Sequence, residues 1–372
     1  MRKWQSYKNL GDVVTIIMGQ SPSSDTYNDK EGLPFFQGNA DFGKEHPTVR
    51  VFCNSPIRIA EPNDILISVR APIGAINIAD RQCCIGRGLA AIRGANSVSN
   101  RFLYFFLTAS KNTLISQGTG STFKSIGKDA LKNLQMPVFN LNEQERIVSE
   151  LDLLAGIIDK QKQQLKELDT LAQSIFYDMF GSPDANEKEW IMKSLAEIGT
   201  IVSGSTPSTS DESNWDGDVN WVTPAELGVQ LFYGETRRKI TSKAAKSLTI
   251  MPIGTLLMSS RAPIGKLAIT SVPMCCNQGF KNIVCGNNVN NIYLYYCLML
   301  NINSIKAMGR GATFKEVSKQ AVSSFEIMLP PMNLQELFAQ KILSIESQKE
   351  SINRSIAESQ KLFDYTMDKY FG

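Results

Sequence analysis

The chain contains 372 residues, of which 42% are hydrophobic and 20% charged, and its formal net charge is +3. This length favours two globular domains of about 150 residues each plus connecting segments. The sequence has no run of about 18 apolar residues and no apolar signal-peptide core near the N-terminus, so we expect a cytoplasmic protein without a membrane span. The seven Cys residues are therefore expected to be buried, reduced thiols.

The charge is unevenly distributed along the chain. Residues 1–141 carry a net charge of +6, residues 142–181 carry −4, residues 182–331 carry +2 and residues 332–372 carry −1. We interpret these segments as two globular domains, 1–141 and 182–331, each followed by a helical segment. Basic globular domains suit a polyanionic ligand and acidic helices suit a protein partner, although ordinary surface charge explains the same values.

The first domain contains short apolar runs bounded by turn-forming residues. Residues 13–18, 64–69 and 75–78 are typical of strands, and the sequence Gly-Gln-Ser-Pro at 19–22 is typical of a turn. Residues 100–110 have a pattern typical of a helix. The sequence therefore predicts a strand-rich, irregular domain.

Residues 142–181 have the spacing of a coiled-coil seam. Steps of four and three residues alternate through one polar and nine apolar or small positions: Ile147, Leu151, Leu154, Ile158, Gln161, Leu165, Leu168, Ala172, Ile175 and Met179. The helix is predicted to end at Gly181, because Gly accepts a left-handed cap and Pro183 cannot continue the ladder. Either Asn140 or Asn142 is expected as its N-cap.

The second half of the chain repeats the first. The strand-like residues 198–202 and the turn at 204–207 follow their counterparts by 185 residues, and after a loop of different length the offset is 191. Segments matching at that offset are 68–74 with 259–265 (both containing Arg-Ala-Pro-Ile-Gly), 87–89 with 278–280, and 118–124 with 309–315 (both Gly-x-Gly-[Ser/Ala]-Thr-Phe-Lys). The seam also recurs, from Phe338 to Tyr370, with polar residues at Lys349, Ser359 and Thr366. The chain is a duplication.

The two seams need partners, because a single coiled-coil strand cannot bury its own apolar stripe. The first helix leads from one globular domain to the other, so the second helix can cover it by running back along it. This favours an α+β protein in which two long helices pair as an antiparallel coiled coil, with one globular domain at each end. A homodimeric coiled coil between two chains is the alternative.

Catalytic and cofactor motifs are missing from the sequence. His46 is the single histidine, and no Cys-x-x-Cys or His-Glu-x-x-His motif offers a metal site. The Gly-Lys pairs at 127–128 and 265–266 lack the upstream Gly of a phosphate-binding loop. We therefore expect a protein that is not an enzyme by itself and that has no cofactor of its own.

The repeated motifs suit recognition of DNA. Backbone N–H groups and a Lys beside Gly-x-Gly can hold a phosphate, Arg can contact guanine or phosphate, Gln and Asn suit adenine, and Thr suits a thymine methyl group. Phe123 and Phe314 are instead expected as core plugs, and a structural role for Arg70 and Arg261 is as plausible as DNA contact. The candidate DNA-binding residues are Gln37, Asn39, Arg70, Arg87, Thr122, Lys124, Thr223, Arg261, Gln278, Arg310, Thr313 and Lys315.

In combination, these motifs resemble a known family. Two strand-rich units with Arg-Ala-Pro-Ile-Gly and Gly-x-Gly-[Ser/Ala]-Thr-Phe-Lys, each followed by Asn-x-Gln-Glu and a long helix ending in Phe-Gly, resemble the DNA specificity subunit of type I restriction-modification systems. The resemblance covers essentially the whole chain. It implies two target-recognition domains, 1–141 and 182–331, that each read one half of an interrupted double-stranded DNA site.

The resemblance also implies partners. The spacer helices, 142–181 and 332–372, would dock two methyltransferase subunits, and restriction subunits carrying the motor and nuclease would join them. S-adenosylmethionine, ATP and magnesium would belong to those subunits. Three alternatives stay open at this point: a specificity subunit of a related methylating nuclease, a homodimeric coiled-coil scaffold without sequence-specific DNA binding, and a self-contained enzyme.

Overall fold

The computed structural model describes residues 6–120, 124–228, 230–309 and 316–372. The chain divides into two compact units. The first unit consists of Met1–Lys162 and Arg354–Gly372, and the second consists of Gln163–Asn353. Each unit therefore combines a globular part with a portion of both long helices.

The first unit contains eleven strands in its described residues. They are β1 (Tyr7–Asn9), β2 (Val14–Met18), β3 (Tyr27–Asn28), β4 (Leu33–Phe36), β5 (Phe52–Cys53), β6 (Ile59–Ala60), β7 (Ile65–Ser68), β8 (Ile76–Ile78), β9 (Cys83–Ile85), β10 (Leu89–Gly94) and β11 (Gln135–Pro137). They form an antiparallel sheet in the order β2-β10-β7-β8, a sheet in the order β3-β5-β4-β9-β6, and the pair β1-β11. In the five-stranded sheet, β4 and β9 run parallel.

Strand β7 is covered on both faces, which explains why its first three residues are all apolar. Ile65 and Ile67 pack in a cluster with Phe102, whereas Leu66 packs in a second cluster with Phe36. Phe102 belongs to one of the short helices of this unit, which are Asn100–Ala109, Lys111–Ser116 and Lys128–Lys132. Short 3₁₀ helices lie at Leu10–Asp12, Ser24–Thr26 and Asn39–Asp41.

The second unit contains ten strands in its described residues. They are β12 (Met192–Ser194), β13 (Gly199–Ser203), β14 (Trp215–Val222), β15 (Phe232–Tyr233), β16 (Arg238–Ile240), β17 (Leu256–Met258), β18 (Leu267–Thr270), β19 (Met274–Cys276), β20 (Lys281–Cys285) and β21 (Glu326–Met328). The sheets have the orders β13-β20-β17-β18-β15, β16-β14-β19 and β12-β21. The three-stranded sheet contains one parallel pair, β14 with β19, and the five-stranded sheet contains another, β15 with β18.

An aromatic cluster forms the centre of the second unit's core. Phe176, Phe180, Tyr293 and Phe338 are fully buried, and their ring centroids lie 4.9 to 5.8 Å apart. Tyr293 lies in the helix Asn291–Leu300, and its hydroxyl donates a hydrogen bond to the Met328 carbonyl. The other short helices of this unit are Leu195–Ile198, Ser242–Ala245, Ile302–Ala307 and Lys319–Ser323, with a 3₁₀ helix at Glu212–Asn214.

The long helices are Leu141–Phe180 and Met332–Phe371. Asn140 caps the first helix, because its side chain accepts a hydrogen bond from the Glu143 N–H at 2.9 Å and the Glu143 carboxylate accepts one from the Asn140 N–H at 3.0 Å. The alternative cap, Asn142, is wrong since it lies inside the helix. The predicted stop is confirmed: Gly181 has φ of 80°, and its N–H donates to the Tyr177 carbonyl.

The two long helices run antiparallel in each unit. In the first unit, Gln161 contacts Ser355 and Glu150 contacts Tyr370, so increasing numbers on one helix meet decreasing numbers on the other. In the second unit, Asp169 contacts Lys349 and Phe176 contacts Phe338, so the two helices run antiparallel there as well. Seam residues including Ile147, Leu151, Ala172, Ile342 and Ile345 are buried. The predicted intramolecular antiparallel pairing is confirmed.

Polar residues in the seam have partners on the facing helix. Gln161 donates to the Ser355 hydroxyl at 2.7 Å. Lys349 forms ion pairs with Asp169 at 2.8 Å and with Glu346 at 2.7 Å. Burial lowers the pKa of Lys349, but these two hydrogen-bonded carboxylates raise it by more, so the ammonium stays charged.

The predicted elements agree with the structure to within one or two residues at their ends. Residues 13–18 form the strand Val14–Met18, and 64–69 form Ile65–Ser68. All seven Cys residues are free; six are buried and Cys285 is half-buried. Burial raises the pKa of Cys83 and Cys276 to about 12, so these thiols stay protonated. None of the helices in the described ranges is long and apolar enough to cross a lipid bilayer.

Candidate nucleic-acid interface

Backbone hydrogen bonds join the motif-bearing segments of the first unit. The Gly88 N–H donates to the Gln37 carbonyl at 3.1 Å, and the Val69 N–H donates to the Gly88 carbonyl at 2.9 Å. The Ala71 N–H donates to the Lys124 carbonyl at 3.2 Å. We call the resulting group of residues 37–41, 68–74, 86–88, 118–120 and 124–126 the first loop cluster. Segments far apart in sequence thus form one surface.

The predicted residues of the first loop cluster are accessible to a ligand. Gln37, Arg70, Arg87 and Lys124 are exposed, and Asn39 is half-buried. Three of the five carry a positive charge, and the other two carry amides that can donate and accept hydrogen bonds. The cluster therefore exposes three cations and two amides, which are the kinds of group that contact phosphates and base edges in protein–DNA complexes.

The second unit builds a corresponding surface, in which one backbone hydrogen bond of the first unit recurs. The Ser260 N–H donates to the Gly279 carbonyl at 2.7 Å, as Val69 does to Gly88. The Asn277 N–H donates to the Val222 carbonyl at 3.1 Å, which places the loop after β14 beside the Gln278 segment. We call residues 222–226, 259–265, 277–279 and 316–318 the second loop cluster.

The turn glycines predicted from the repeat are required by close backbone contact. A Cβ atom on Gly19 would lie 2.1 Å from the Gly86 carbonyl oxygen, and one on Gly204 would lie 2.0 Å from the Asn277 carbonyl oxygen. Both distances are far shorter than a van der Waals contact. These glycines let the turn after β2 or β13 pack directly against its loop cluster.

The two Arg-Ala-Pro-Ile-Gly loops share their backbone shape. The Ala71–Pro72 and Ala262–Pro263 peptide bonds are both cis. Gly74 and Gly265 have φ of 83° and 85°. The sequence motif therefore specifies one loop conformation that occurs twice.

The arginines of these loops differ in their partners. Arg261 donates from Nε to Glu316 at 2.9 Å, and the nearly buried ammonium of Lys281 contacts the same carboxylate at 3.3 Å. Burial raises the pKa of Glu316, but its hydrogen bonds to these two cations lower it by more. Arg70 instead faces Ser125, and no side-chain hydrogen bond or ion pair joins it to a described residue. The structure thus gives Arg261 a locking partner and leaves the Arg70 charge exposed.

Carboxylates organise the two loops that differ between the copies. In the first unit, the Asp41 carboxylate accepts a hydrogen bond from the Gln37 N–H at 2.9 Å. In the second, Glu226 accepts from the N–H and hydroxyl of Thr223, both at 2.8 Å, and from the Arg237 N–H at 2.7 Å. The Thr223 hydroxyl proton is therefore already engaged. Its methyl group and remaining lone pair are what it can offer a base.

Sequence reasoning did not identify Asp41, Glu226 or Glu316 as organising residues. The Thr-x-x-Glu spacing at 223–226 is a known hydrogen-bonding signature, and it could have indicated the contact between Thr223 and Glu226. The Glu316 contact had no such signal, since its partners lie 55 and 35 residues away.

Arg87 and Gln278 occupy the same position in the two copies of the repeat, but their neighbouring side chains differ. Arg87 is exposed. Burial raises the pKa of the nearby Tyr27 phenol, and the Arg87 charge offsets only part of that rise. The Gln278 amide oxygen accepts a hydrogen bond from the Thr206 hydroxyl. Gln278 is thus held against the turn at 204–207, while its amide NH₂ has no described partner.

Four of the predicted residues, Thr122, Arg310, Thr313 and Lys315, lie outside the described residues, as do Phe123 and Phe314. Within the described ranges, no group of three or more His, Cys, Asp or Glu side chains is arranged to hold a metal ion.

A family model described as the type I restriction modification DNA specificity domain matches this chain twice, at residues 1–170 and 187–359. The chain belongs to the type I restriction-modification DNA specificity family. The two matches correspond to the two halves of the duplication. They place both loop clusters inside the family's domain.

Relatives of this specificity family match parts or most of the chain. A putative type I restriction enzyme MjaX specificity subunit from Methanocaldococcus jannaschii is 41% identical over 157 residues, which is 41% of this chain and 37% of that protein. The EcoR124I/EcoR124II specificity subunit from Escherichia coli is 24% identical over 300 residues, covering 74% of this chain and 72% of that protein. The M. jannaschii alignment therefore spans well under half of that relative.

Solved structures support the fold over the full length. The S subunit of a type I restriction-modification system from M. genitalium gives a TM-score of 0.62 at 15% identity, covering 99% of this chain and 96% of that one. A chain from a structural study of type I R-M complex assembly and conformational transition gives 0.65 at 18% identity, covering 100% and 99%. At these identities the likeness concerns the fold.

Proposed function

We propose that this chain is the non-catalytic DNA-recognition subunit of a type I restriction-modification enzyme. Each loop cluster reads one half of an interrupted double-stranded DNA site. Two methyltransferase subunits bind the paired long helices, and restriction subunits join that assembly. All chemistry on DNA is carried out by these partners, which hold the cofactors.

The observation that carries the proposal is the repeated loop cluster. Two copies of one backbone arrangement gather exposed polar and basic residues, while the loops at 37–41 and 223–226 differ in sequence. A shared framework with different reading residues is what two different half-sites require. The first cluster, with Gln37 and Asn39, suits adenine edges, and the second, with Thr223, suits a thymine methyl group.

The long helices support a role as a spacer. Each is continuous for 40 residues, about 60 Å at 1.5 Å per residue, and each contributes to both units. Their pairing within the chain also disfavours the scaffold alternative, because the buried seam residues are already covered by the facing helix. A homodimeric scaffold would need those faces for a second chain.

Methylation mapping tests the proposal directly. The chain is expressed with the methyltransferase genes of its own genome in a host lacking other methylation, and modified adenines are mapped by single-molecule sequencing. We expect one interrupted motif. Exchanging residues 1–141 for those of another specificity subunit should change one half of it. A chain that purifies as a homodimer, binds no methyltransferase subunit and yields no motif would support the scaffold instead.

Shortening both helices tests the spacer role. Deleting residues 155–161 and 355–361 removes one heptad from each helix and removes the Gln161–Ser355 pair together, so both seams keep their register. Seven residues correspond to about 10 Å, or about 3 base pairs, and the preferred gap should change by about that amount. The double substitution Gln161→Leu with Ser355→Ala is the length-matched control. An unchanged gap in the deletion variant would refute the spacer role.

A further inference from the structure

Arg50 and Arg237 occupy matching positions in the strand pairing of the two units, although the repeat offsets of 185 and 191 residues do not align them. In the first unit, β4 and β5 pair Leu33 with Cys53 and Pro34 with Phe52, and the Phe35 N–H donates to the Val51 carbonyl at 2.9 Å. The next pair in this register sets Arg50 opposite Phe36. Arg50 therefore lies across from Phe36, the residue that immediately precedes the loop at 37–41. We call the loops at 37–41 and 223–226 the reading loops, after the role proposed for them.

The second unit has an arginine at the same structural position. Trp221 pairs with Arg238, so the next pair in that register sets Arg237 opposite Val222. Val222 pairs with Cys276 and Phe36 with Ile85, and Cys276 follows Ile85 by the repeat offset of 191 residues. Arg50 and Arg237 thus occupy equivalent positions, each in the sheet of its own unit. Their own separation of 187 residues matches neither repeat offset.

In both copies, the residues beside the arginine make packing contacts within their own unit. Val49 and Val51 pack against the apolar clusters of the first unit. Thr236 is buried, and the Arg238 guanidinium lies 3.6 Å above the Trp215 ring. Arg50 and Arg237 are both exposed.

In each unit, a hydrogen bond joins the segment that carries the arginine to the acidic residue that organises the nearby loop. The Asp41 carbonyl accepts a hydrogen bond from the Thr48 N–H at 2.8 Å, two residues before Arg50. The Glu226 carboxylate accepts one from the Arg237 N–H itself at 2.7 Å. The Arg237 backbone is therefore held beside the loop at 223–226, and the segment that leads to Arg50 is held beside the loop at 37–41. No ion pair joins either guanidinium to a described carboxylate.

We propose that Arg50 and Arg237 are a matched pair of DNA-phosphate contacts, one beside each reading loop. This rests on the proposed function and assigns the residues that set each loop's position on the duplex. A guanidinium holds a phosphate through paired N–H groups and keeps its charge at any working pH. A phosphate contact also explains why both copies keep the arginine while the reading residues differ, since the backbone of DNA is the same at both half-sites.

Salt-dependent binding of the full-length chain tests the assignment. Affinities of wild type, Arg50→Gln, Arg237→Gln and the double variant are measured against salt concentration, on a duplex carrying the mapped methylation motif and on a scrambled duplex. Arg354→Gln removes the same charge from an exposed position on the second long helix and is the matched control. Arg50→Lys and Arg237→Lys keep the charge, and thermal melting confirms that every variant is folded.

Each single Gln variant should reduce the slope of log affinity against log salt by about 0.9, and the double variant by about twice that. Both duplexes should lose affinity by the same factor, and the Lys variants should recover most of the slope. Slopes equal to that of Arg354→Gln would overturn the assignment. A loss confined to the motif duplex with an unchanged slope would also overturn it, in favour of base contact. Wild type that binds neither duplex would instead refute the proposed function.

Discussion

The two loops with the sequence Arg-Ala-Pro-Ile-Gly place their arginines in different electrostatic surroundings. Arg70 faces Ser125 and is exposed without a described ionic partner, whereas Arg261 shares the Glu316 carboxylate with Lys281. Ser125 and Glu316 occupy the same place in the repeat, 191 residues apart. One position outside the motif therefore decides whether the motif's arginine is unpaired among the described residues or paired with a carboxylate.

The loops at 37–41 and 223–226 also differ in the number of hydrogen bonds that their carboxylates accept. Asp41 holds its loop through the Gln37 N–H, while Glu226 holds its loop through Thr223, Tyr233 and Arg237. The second unit thus fixes its loops with more internal hydrogen bonds to carboxylates. The loop at 223–226 therefore has more hydrogen bonds holding it than the loop at 37–41, and the globular segment of the second unit carries less net charge than that of the first. The segment charges of +6 and +2 agree with this division.

The largest effect is expected from removing the Glu226 carboxylate. Glu226→Ala leaves the partly buried donors of Thr223, Tyr233 and Arg237 without their acceptor, and should destabilise the second unit by about 2 to 3 kcal/mol. Asp41→Ala removes a single described acceptor contact and should cost about 1 kcal/mol. Urea unfolding of both variants measures the difference. Equal losses would contradict the view that the second loop is held more tightly.

The pH dependence of stability provides a second measure of the same contact. Burial raises the pKa of Glu226, but hydrogen bonds from Arg237, Thr223 and Tyr233 lower it by more, below the ordinary value of 4.5. A carboxyl with a depressed pKa in the folded state stabilises the protein above its unfolded pKa, and this stabilisation is lost as pH falls through the folded pKa. Wild type should therefore lose more stability below pH 4.5 than Glu226→Gln does. Parallel curves would contradict this assignment.

The next largest effect is expected at Glu316. Glu316→Gln leaves the Lys281 ammonium, whose side chain is 10% exposed, without its counter-ion, and should cost about 1 to 2 kcal/mol. Adding Lys281→Met removes the stranded charge and should recover part of that loss. Thermal unfolding of the single and double variants tests both steps. A double variant less stable than the single one would show that Lys281 stabilises the fold by other contacts.

Features with a local signal were predictable from the sequence, and features set by distant contacts were not. The alternating steps of the seam and the Gly181 stop depend on spacing within one helix, so both were identified. Phe176 and Phe180 lie beside the predicted seam and were missed, because their burial depends on Tyr293 and Phe338. Arg50 and Arg237 were missed since their equivalence depends on strand register across loops of different length.

Placing a carboxylate opposite Arg70, as the second unit has opposite Arg261, should weaken DNA binding without destabilising the fold. Ser125→Glu puts a carboxylate opposite Arg70, as Glu316 stands opposite Arg261. The backbone hydrogen bonds of Ser125 with Thr119 do not involve its side chain and should persist. We expect the salt slope of DNA affinity to fall by about 1, because one phosphate contact is neutralised. Ser125→Gln is the uncharged control, and an equal slope in the two variants would mean that Arg70 does not contact phosphate.

The smallest effect is expected from Lys124, the exposed cation of the first cluster's Gly-x-Gly segment. Lys124→Ala should lower affinity for motif and scrambled duplexes by the same factor and flatten the salt slope by up to about 0.9. The effect is smaller than that of a guanidinium because an ammonium on a flexible chain is strongly hydrated and makes a single point contact. Lys361→Ala on the second long helix removes the same charge from an exposed position and should leave the slope unchanged. If Lys124→Ala and Lys361→Ala give the same slope, Lys124 does not contact phosphate, and the arginines of the first loop cluster remain its candidate phosphate contacts.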